Sequence, residues 1–152
     1  ALYTKNIPFN AMLQDAAARA REIGAAFRAA VVVPEQLAIP DTDLCTLLMN
    51  LFDNALEGAA RTPEGRERHI VFKARVVNGL LFLSCENTFD GQVKTDGHGR
   101  LKTIKSDADI HGFGLTQMRA VAEKYKSILD IRYTEEVFTV QTALKIPQAP
   151  AD

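Results

Sequence analysis

The run DLCTLLMNLFDNALEGAA, residues 43–60, decides how the chain is read. At about 100° per residue, Leu44, Leu47, Leu48, Leu51, Phe52, Ala55 and Ala59 fall on one broad stripe, which predicts a helix packed on a core. Asn50, Asp53, Asn54 and Glu57 fall on the opposite side, within about 100° of one another. Asparagine is a poor helix former, costing roughly a few tenths of a kcal/mol relative to alanine. An ordinary solvent face would mix Lys and Arg with Glu, yet no basic residue lies between Asp43 and Ala60. Two readings stay open on this segment: an amide-rich solvated face, or a row of oxygen ligands facing a cleft. Mg²⁺ prefers oxygen donors and keeps several waters, so one amide oxygen plus nucleotide phosphates can hold it.

The second informative stretch is HGFGL, residues 111–115, which ends a long loop and opens a further helix. Two glycines one residue apart allow close backbone approach, and a helix start offers free N–H groups to phosphate. The pattern does not match GxxxxGK[ST], and no strand-GxGxxG-helix arrangement is present. Arg100, Lys102 and Lys105 lie just upstream, as phosphate contacts or as charges that keep a loop soluble.

Around these two segments the chain predicts a small α/β domain. FNAMLQDAAARAREIGAA reads as a first helix with Asn10 as its cap, and FRAAVVV as a short strand. Asp41 or Thr42 caps the helix of residues 43–60, which runs to about Gly58. IVFKARVV alternates, Asn78-Gly79 is a favoured two-residue hairpin turn, and LLFLSCEN returns. From about 88 to 111 periodicity fails over more than 20 residues, which predicts a functional lid or disorder. GLTQMRAVAEKYK is a third helix, and ILDIRY and VFTVQTALKI form a closing hairpin. The order predicts a two-layer α/β (α+β) sandwich, with a mixed, mostly antiparallel sheet covered on one face by about three helices.

Composition narrows the classes. A length of 152 residues suits one domain, spanning 1–152. Hydrophobic residues at 47% and charged residues at 24% indicate a globular chain. A formal net charge of -1 gives no reason to expect nucleic-acid or membrane binding. Cys45 and Cys85 lie in apolar runs and read as small buried hydrophobes, in keeping with a reducing, cytoplasmic setting. The first residue, Ala1, and the ordered-looking sequence after it suggest a fragment of something longer.

Taken together, NLFDNALEGA on a helix, a strand ending in CEN, a glycine-bearing lid and HGFGLTQMRAVAEKY resemble the ATP-binding domain of the GHKL superfamily. That superfamily groups gyrase, the Hsp90 chaperones, MutL and bacterial sensor histidine kinases on a Bergerat-type fold. The NxxDNAxE, ENxFDG and HGFGL stretches look most like the peptide-sensing kinases of quorum sensing, and YTKNIPFNAMLQDAAARAREIGAAF looks like the start of their catalytic domain.

The resemblance implies roles. Asn54 matches the asparagine whose amide oxygen ligates Mg²⁺, and Asn50 lines the same cleft one turn earlier. Hydrolysing members carry a water-activating glutamate at that earlier position; Asn50 has no usable basicity, which points to phosphoryl transfer. Gly112 and Gly114 match the glycine box beside the triphosphate, flanked by His111 and Leu115, with Lys105 reaching phosphate from the lid. The aspartate expected to read adenine, in DxGxG, is missing; Asn87 or Glu86 stands near its place, and Asn87 can accept from an amino group. Glu57 occupies a position that is basic in many kinases, and acts there through water or the metal.

The implied activity is transfer of the γ-phosphate of ATP, with Mg²⁺, to a histidine on a separate dimerisation domain of a homodimeric receptor kinase, which then feeds a response regulator. None of His69, His98 and His111 sits on a long amphipathic helix, so the acceptor lies elsewhere and the isolated chain does not phosphorylate itself. Two alternatives stand beside this: a serine kinase of the anti-sigma-factor type, and a non-catalytic module binding nucleotide or a partner helix.

Overall fold

The computed structural model describes residues 2–95, 101–102 and 108–148. In chain order the elements are α1 (Ile7–Glu22), β1 (Ala26–Val32), α2 (Asp41–Ala60), β2 (His69–Val77), β3 (Leu80–Thr88), β4 (Lys94–Thr95), β5 (Leu101–Lys102), α3 (Ala108–Lys124), β6 (Asp130–Tyr133) and β7 (Val137–Lys145). The main sheet has the order β1-β2-β3-β7-β6. Only β1 and β2 run parallel, joined through α2; the other neighbours are antiparallel. The mixed two-layer arrangement is the expected one.

Alternation builds the core. Ile70, Phe72 and Ala74 of β2, Leu81, Leu83 and Cys85 of β3, and Val140 and Leu144 of β7 are buried on the helix-covered face. The intervening Lys73, Arg75 and Phe82 point to the other face and are exposed, as a period of two requires. Asn78 and Gly79 turn β2 into β3 with positive φ at both residues (52° and 76°), the geometry that an Asn-Gly pair supplies in a two-residue hairpin. The leucine stripe of α2 lies against this sheet, with Leu44, Leu47, Leu48 and Leu51 at most 2% exposed. Each such side chain contributes about 2 kcal/mol of burial energy. Phe52 meets Phe72 at 5.0 Å between ring centroids and Phe27 at 6.1 Å, which ties α2 to the sheet. Cys85 is buried among these residues, and burial pushes its thiol up to about 12.

Helix starts differ from the sequence expectation. The cap of α1 is Asn6, whose side chain accepts from the Phe9 N–H at 3.2 Å; Asn10 instead accepts from the Tyr3 N–H at 2.9 Å. Pro8 in the first turn explains the earlier start, since proline is pre-set for helix there and its missing N–H costs nothing. In α2, Asp41 and Thr42 are already helical and Pro40 stands at the cap with no side-chain bond. Asp41 and Asp43 instead complement the positive end of the helix dipole.

The stretch expected as a lid from about 88 to 111 is partly regular. β3 continues to Thr88, and Phe89 donates its N–H to Glu136 O at 3.1 Å. Gly91, at φ 79°, lies so close to the β6–β7 turn that a Cβ there would come within 2.6 Å of Glu135 O. β4 and β5 pair antiparallel, and α3 begins at Ala108 rather than at the glycines.

Candidate functional site

The amide face of α2 divides between two neighbours. Asp53 turns to α1, where Arg19 Nη1 meets its Oδ1 at 2.8 Å. It therefore leaves the row of ligands that the helical wheel suggested. Asn50 turns to α3: its Nδ2 donates to Thr46 O at 2.7 Å and to Gln117 Oε1 at 2.9 Å. Its Oδ1 lies 3.6 Å from the place a Cβ on Gly114 would occupy. Asn54, one turn further on and half-buried, makes no side-chain hydrogen bond to any described residue. The amide-bearing helix and the glycine-bearing helix thus face each other across one seam.

His111, Gly112 and Gly114 lie inside the first two turns of α3, because the helix starts three residues before the histidine. A glycine inside a helix costs about 1 kcal/mol relative to alanine. The free N–H groups of the helix start therefore belong to its first turn, residues 108–110. Leu115 is buried, at 3% exposure, and seats α3 on the core. Lys105 lies outside the described residues, as do His98 and Arg100.

At its last turn α2 meets the end of β3. Asn87 is 2% exposed, and its Nδ2 donates to Thr88 O at 2.9 Å, which leaves the side-chain oxygen as its acceptor end. Gly58 makes room for it: a Cβ at Gly58 would come within 2.3 Å of Asn87 Nδ2. Gly58 is a neighbour of the candidate residue Asn87 that sequence reasoning treated only as a helix end. The signal was present in the i, i+4 spacing of Asn50, Asn54 and Gly58, which puts all three on one face. Glu57 is half-buried beside them, and its main-chain carbonyl accepts from Arg61 Nη1 at 3.5 Å. Thr62 and Thr88, both buried, share a 2.9 Å hydrogen bond that braces the same corner.

A polar clamp joins the opposite ends of the two helices. Asp43 accepts a hydrogen bond from the Tyr125 hydroxyl and pairs with Lys124 Nζ at 2.8 Å. Lys124 and the Tyr125 hydroxyl hold the Asp43 carboxyl below the usual carboxylate range. Burial, reinforced by Asp43, pushes the Tyr125 phenol up to about 12. On the far side of the sheet an open trough of about 700 Å³ is lined by residues such as Lys73, Arg75, Phe82 and Gln141, and it contains none of the candidate residues. Position along α2, not the size of the hollow, marks the site.

Residues 40–145 match the family model described as the GHKL domain. Comparison with curated protein sequences returns no match. Among solved structures, full-length ShkA in complex with AMPPNP superposes with a TM-score of 0.72 at 17% identity, over 99% of this chain and 32% of ShkA. The Acinetobacter baumannii histidine kinase AdeS gives 0.64 at 13%, over 97% and 68%. The catalytic domain of histidine kinase ThkA gives 0.61 at 16%, over 92% and 95%. This chain therefore spans about a third of full-length ShkA and nearly all of the ThkA catalytic domain. The matched family model, the mixed sheet under three helices and the facing amide and glycine helices agree: the chain belongs to the GHKL domain family.

Proposed function

We propose that the chain is the ATP-binding catalytic domain of a sensor histidine kinase, which delivers the γ-phosphate of ATP to a histidine on a separate dimerisation domain. The observation that carries this reading is the meeting of Asn50 with the glycine-bearing face of α3 in a chain of the GHKL family.

The chain's own residues divide the work. Asn87, its nitrogen engaged by Thr88 O, turns an acceptor oxygen to the exocyclic amino group of adenine. Gly114 leaves the Asn50-facing side of α3 without a side chain, Gly112 lies two residues earlier in the glycine box, and the free amides of the first turn, residues 108–110, are offered to anionic groups. The donor set fits Mg²⁺: Asn54 offers a half-buried amide oxygen with no hydrogen bond to a described residue, and Asn50 directs a second oxygen to the same seam. When bound, Mg²⁺ supplies neutralisation of charge on the phosphates. Glu57 acts through water or the metal, Lys105 and His111 complete the set on the lid and glycine-box side, and Leu115, buried in the core, serves only to seat α3.

Asn50 cannot take a proton from water, so hydrolysis has no base at that position. The proposed route is attack of an imidazole nitrogen on the γ-phosphorus, forming an N–P bond as the bond to the bridging oxygen of ADP breaks. Catalysis is then mostly positioning. In this reading the acceptor lies outside the chain: His69 begins β2, where its Nε2 lies 3.4 Å from Glu86 Oε2, and His111, expected outside a helix but included in α3, adjoins the glycine box. The partner is thus a dimerisation domain of the same homodimeric protein, with a response regulator downstream, on the cytoplasmic side of a receptor of the peptide-sensing type.

The test has two parts. Asn54→Ala is expected to abolish Mg²⁺-dependent ATP binding in calorimetry while the fold persists; unchanged affinity contradicts the metal assignment. Addition of a polypeptide bearing the acceptor helix is expected to yield acid-labile label from ATP. Acid-stable label would point to a serine kinase, and no label with a folded acceptor to a binding module.

A further inference from the structure

Gln117 lies one turn after Gly114 on α3 and has no part in the chemistry so far. Its Oε1 accepts from Asn50 Nδ2 at 2.9 Å, while the same nitrogen donates to Thr46 O at 2.7 Å. A main-chain carbonyl can only accept, so Thr46 O fixes which end of the Asn50 amide is nitrogen. With both N–H groups of that nitrogen engaged, the oxygen is the end left open, and it lies toward Gly114. We propose that Gln117 is a positioning residue: its side-chain carbonyl captures one N–H of Asn50 and so aims the Asn50 oxygen at the glycine face of α3.

The physical reason lies in the two ends of a carboxamide, which have opposite polarity. A reversed Asn50 would present N–H groups toward a cation, and an unrestrained one would divide its time between the two orientations. Thr46 O alone holds only one hydrogen, and it belongs to the same helix as Asn50, so it carries no information about where α3 lies. Gln117 makes the correct orientation of Asn50 depend on α3 being docked. Asn50 is thereby held by two bonds, rather than by Thr46 O alone, only when the two walls of the cleft are together. This inference rests on the reading of the seam as the Mg²⁺–nucleotide site.

The experiment is calorimetric titration of the folded chain with ATP, with and without Mg²⁺, on five variants. Gln117→Met keeps length and removes the acceptor; it is expected to lower Mg²⁺-dependent affinity about tenfold, the scale of one lost hydrogen bond. Affinity without Mg²⁺ is expected to stay unchanged. Gln117→Glu keeps an acceptor at the same reach and is expected to remain within about threefold of wild type. In an Asn50→Ala background Gln117→Met is expected to have no further effect, since Gln117 acts only through Asn50. Equal losses in Gln117→Met and Gln117→Glu, or additive losses with Asn50→Ala, overturn the inference. Asn54→Ala separates the two levels. If it leaves Mg²⁺-dependent binding intact, the site reading itself fails. If it abolishes binding while Gln117→Met binds like wild type, only the role of Gln117 fails.

Discussion

The two ends of α2 are joined to the rest of the molecule in different ways. The N-terminal half meets α3 through polar groups, Asp43 with Tyr125 and Lys124 and Asn50 with Gln117, beside the apolar core that the two helices share. The last turn meets β3 by close approach, where Gly58 lies against the Asn87 side chain with no space for a methyl group. Hydrogen bonds and ion pairs at a half-exposed seam can be exchanged for water at small net cost. A packed contact has no such substitute, because displaced atoms must move the backbone or leave their rotamers. The Gly58–Asn87 end is therefore the more rigid and the polar seam the more adaptable, which under the proposed function suits the first to a base and the second to phosphates.

The glycines give the largest expected contrast. Gly58→Val should displace Asn87, lower stability by about 1–3 kcal/mol as overpacking does, and abolish nucleotide binding, as read by urea unfolding and calorimetry. Gly114→Ala should instead keep or raise stability, by up to about 1 kcal/mol, because its Cβ would make ordinary contact and alanine favours a helix. A destabilised Gly114→Ala with an unaffected Gly58→Val would reverse the assignment of rigid and adaptable ends.

The clamp gives the next effect. The Asp43 carboxyl is held below its ordinary range, so its contribution is present above the unfolded carboxylate pKa and is lost as pH falls through the folded value. Asp43→Asn should cost about 1–2 kcal/mol near neutral pH, mostly through the Tyr125 bond since Lys124 is largely exposed. It should also flatten the acid limb of stability against pH. Tyr125 is shifted the other way: its contribution is complete below the ordinary phenol range and is lost as pH rises toward about 12. One of the three tyrosines should therefore resist ionisation in a spectroscopic alkaline titration, and Tyr125→Phe should remove that late step.

The smallest effect lies away from the seam. Asn6→Ala should cost about 1 kcal/mol through loss of the α1 cap, and Asn10→Ala less, which unfolding of the two variants would rank.

Much of the frame was legible. The leucine stripe of α2, the alternation of β2 and the Asn78-Gly79 turn are local signals with periods that the backbone imposes. Helix starts were less so, because Asn6 and Asn10 are the same residue type and only the path of the chain before Pro8 decides between them. Regularity within 88–111 was missed because strands of two residues have no period to show. At the site, Asn50 and Asn54 stood out as unlikely helix residues. Gly58 and Gln117 did not, since a glycine near a helix end and a glutamine on a helix are ordinary until their neighbours are known. Asp53 looked like one of the set and is instead an ion-pair partner of α1, because the helical wheel does not show which neighbour each polar residue meets.

Amide NMR of the chain during titration with Mg²⁺ and AMPPNP, the analogue bound in ShkA, tests most directly whether one nucleotide lies between α2 and α3. Shifts concentrated at Asn50, Asn54, Gly58, Asn87 and Gly114, saturating together, are the predicted result. Saturable shifts confined to the open sheet face around Lys73, Arg75 and Phe82, with the seam unmoved, would contradict it.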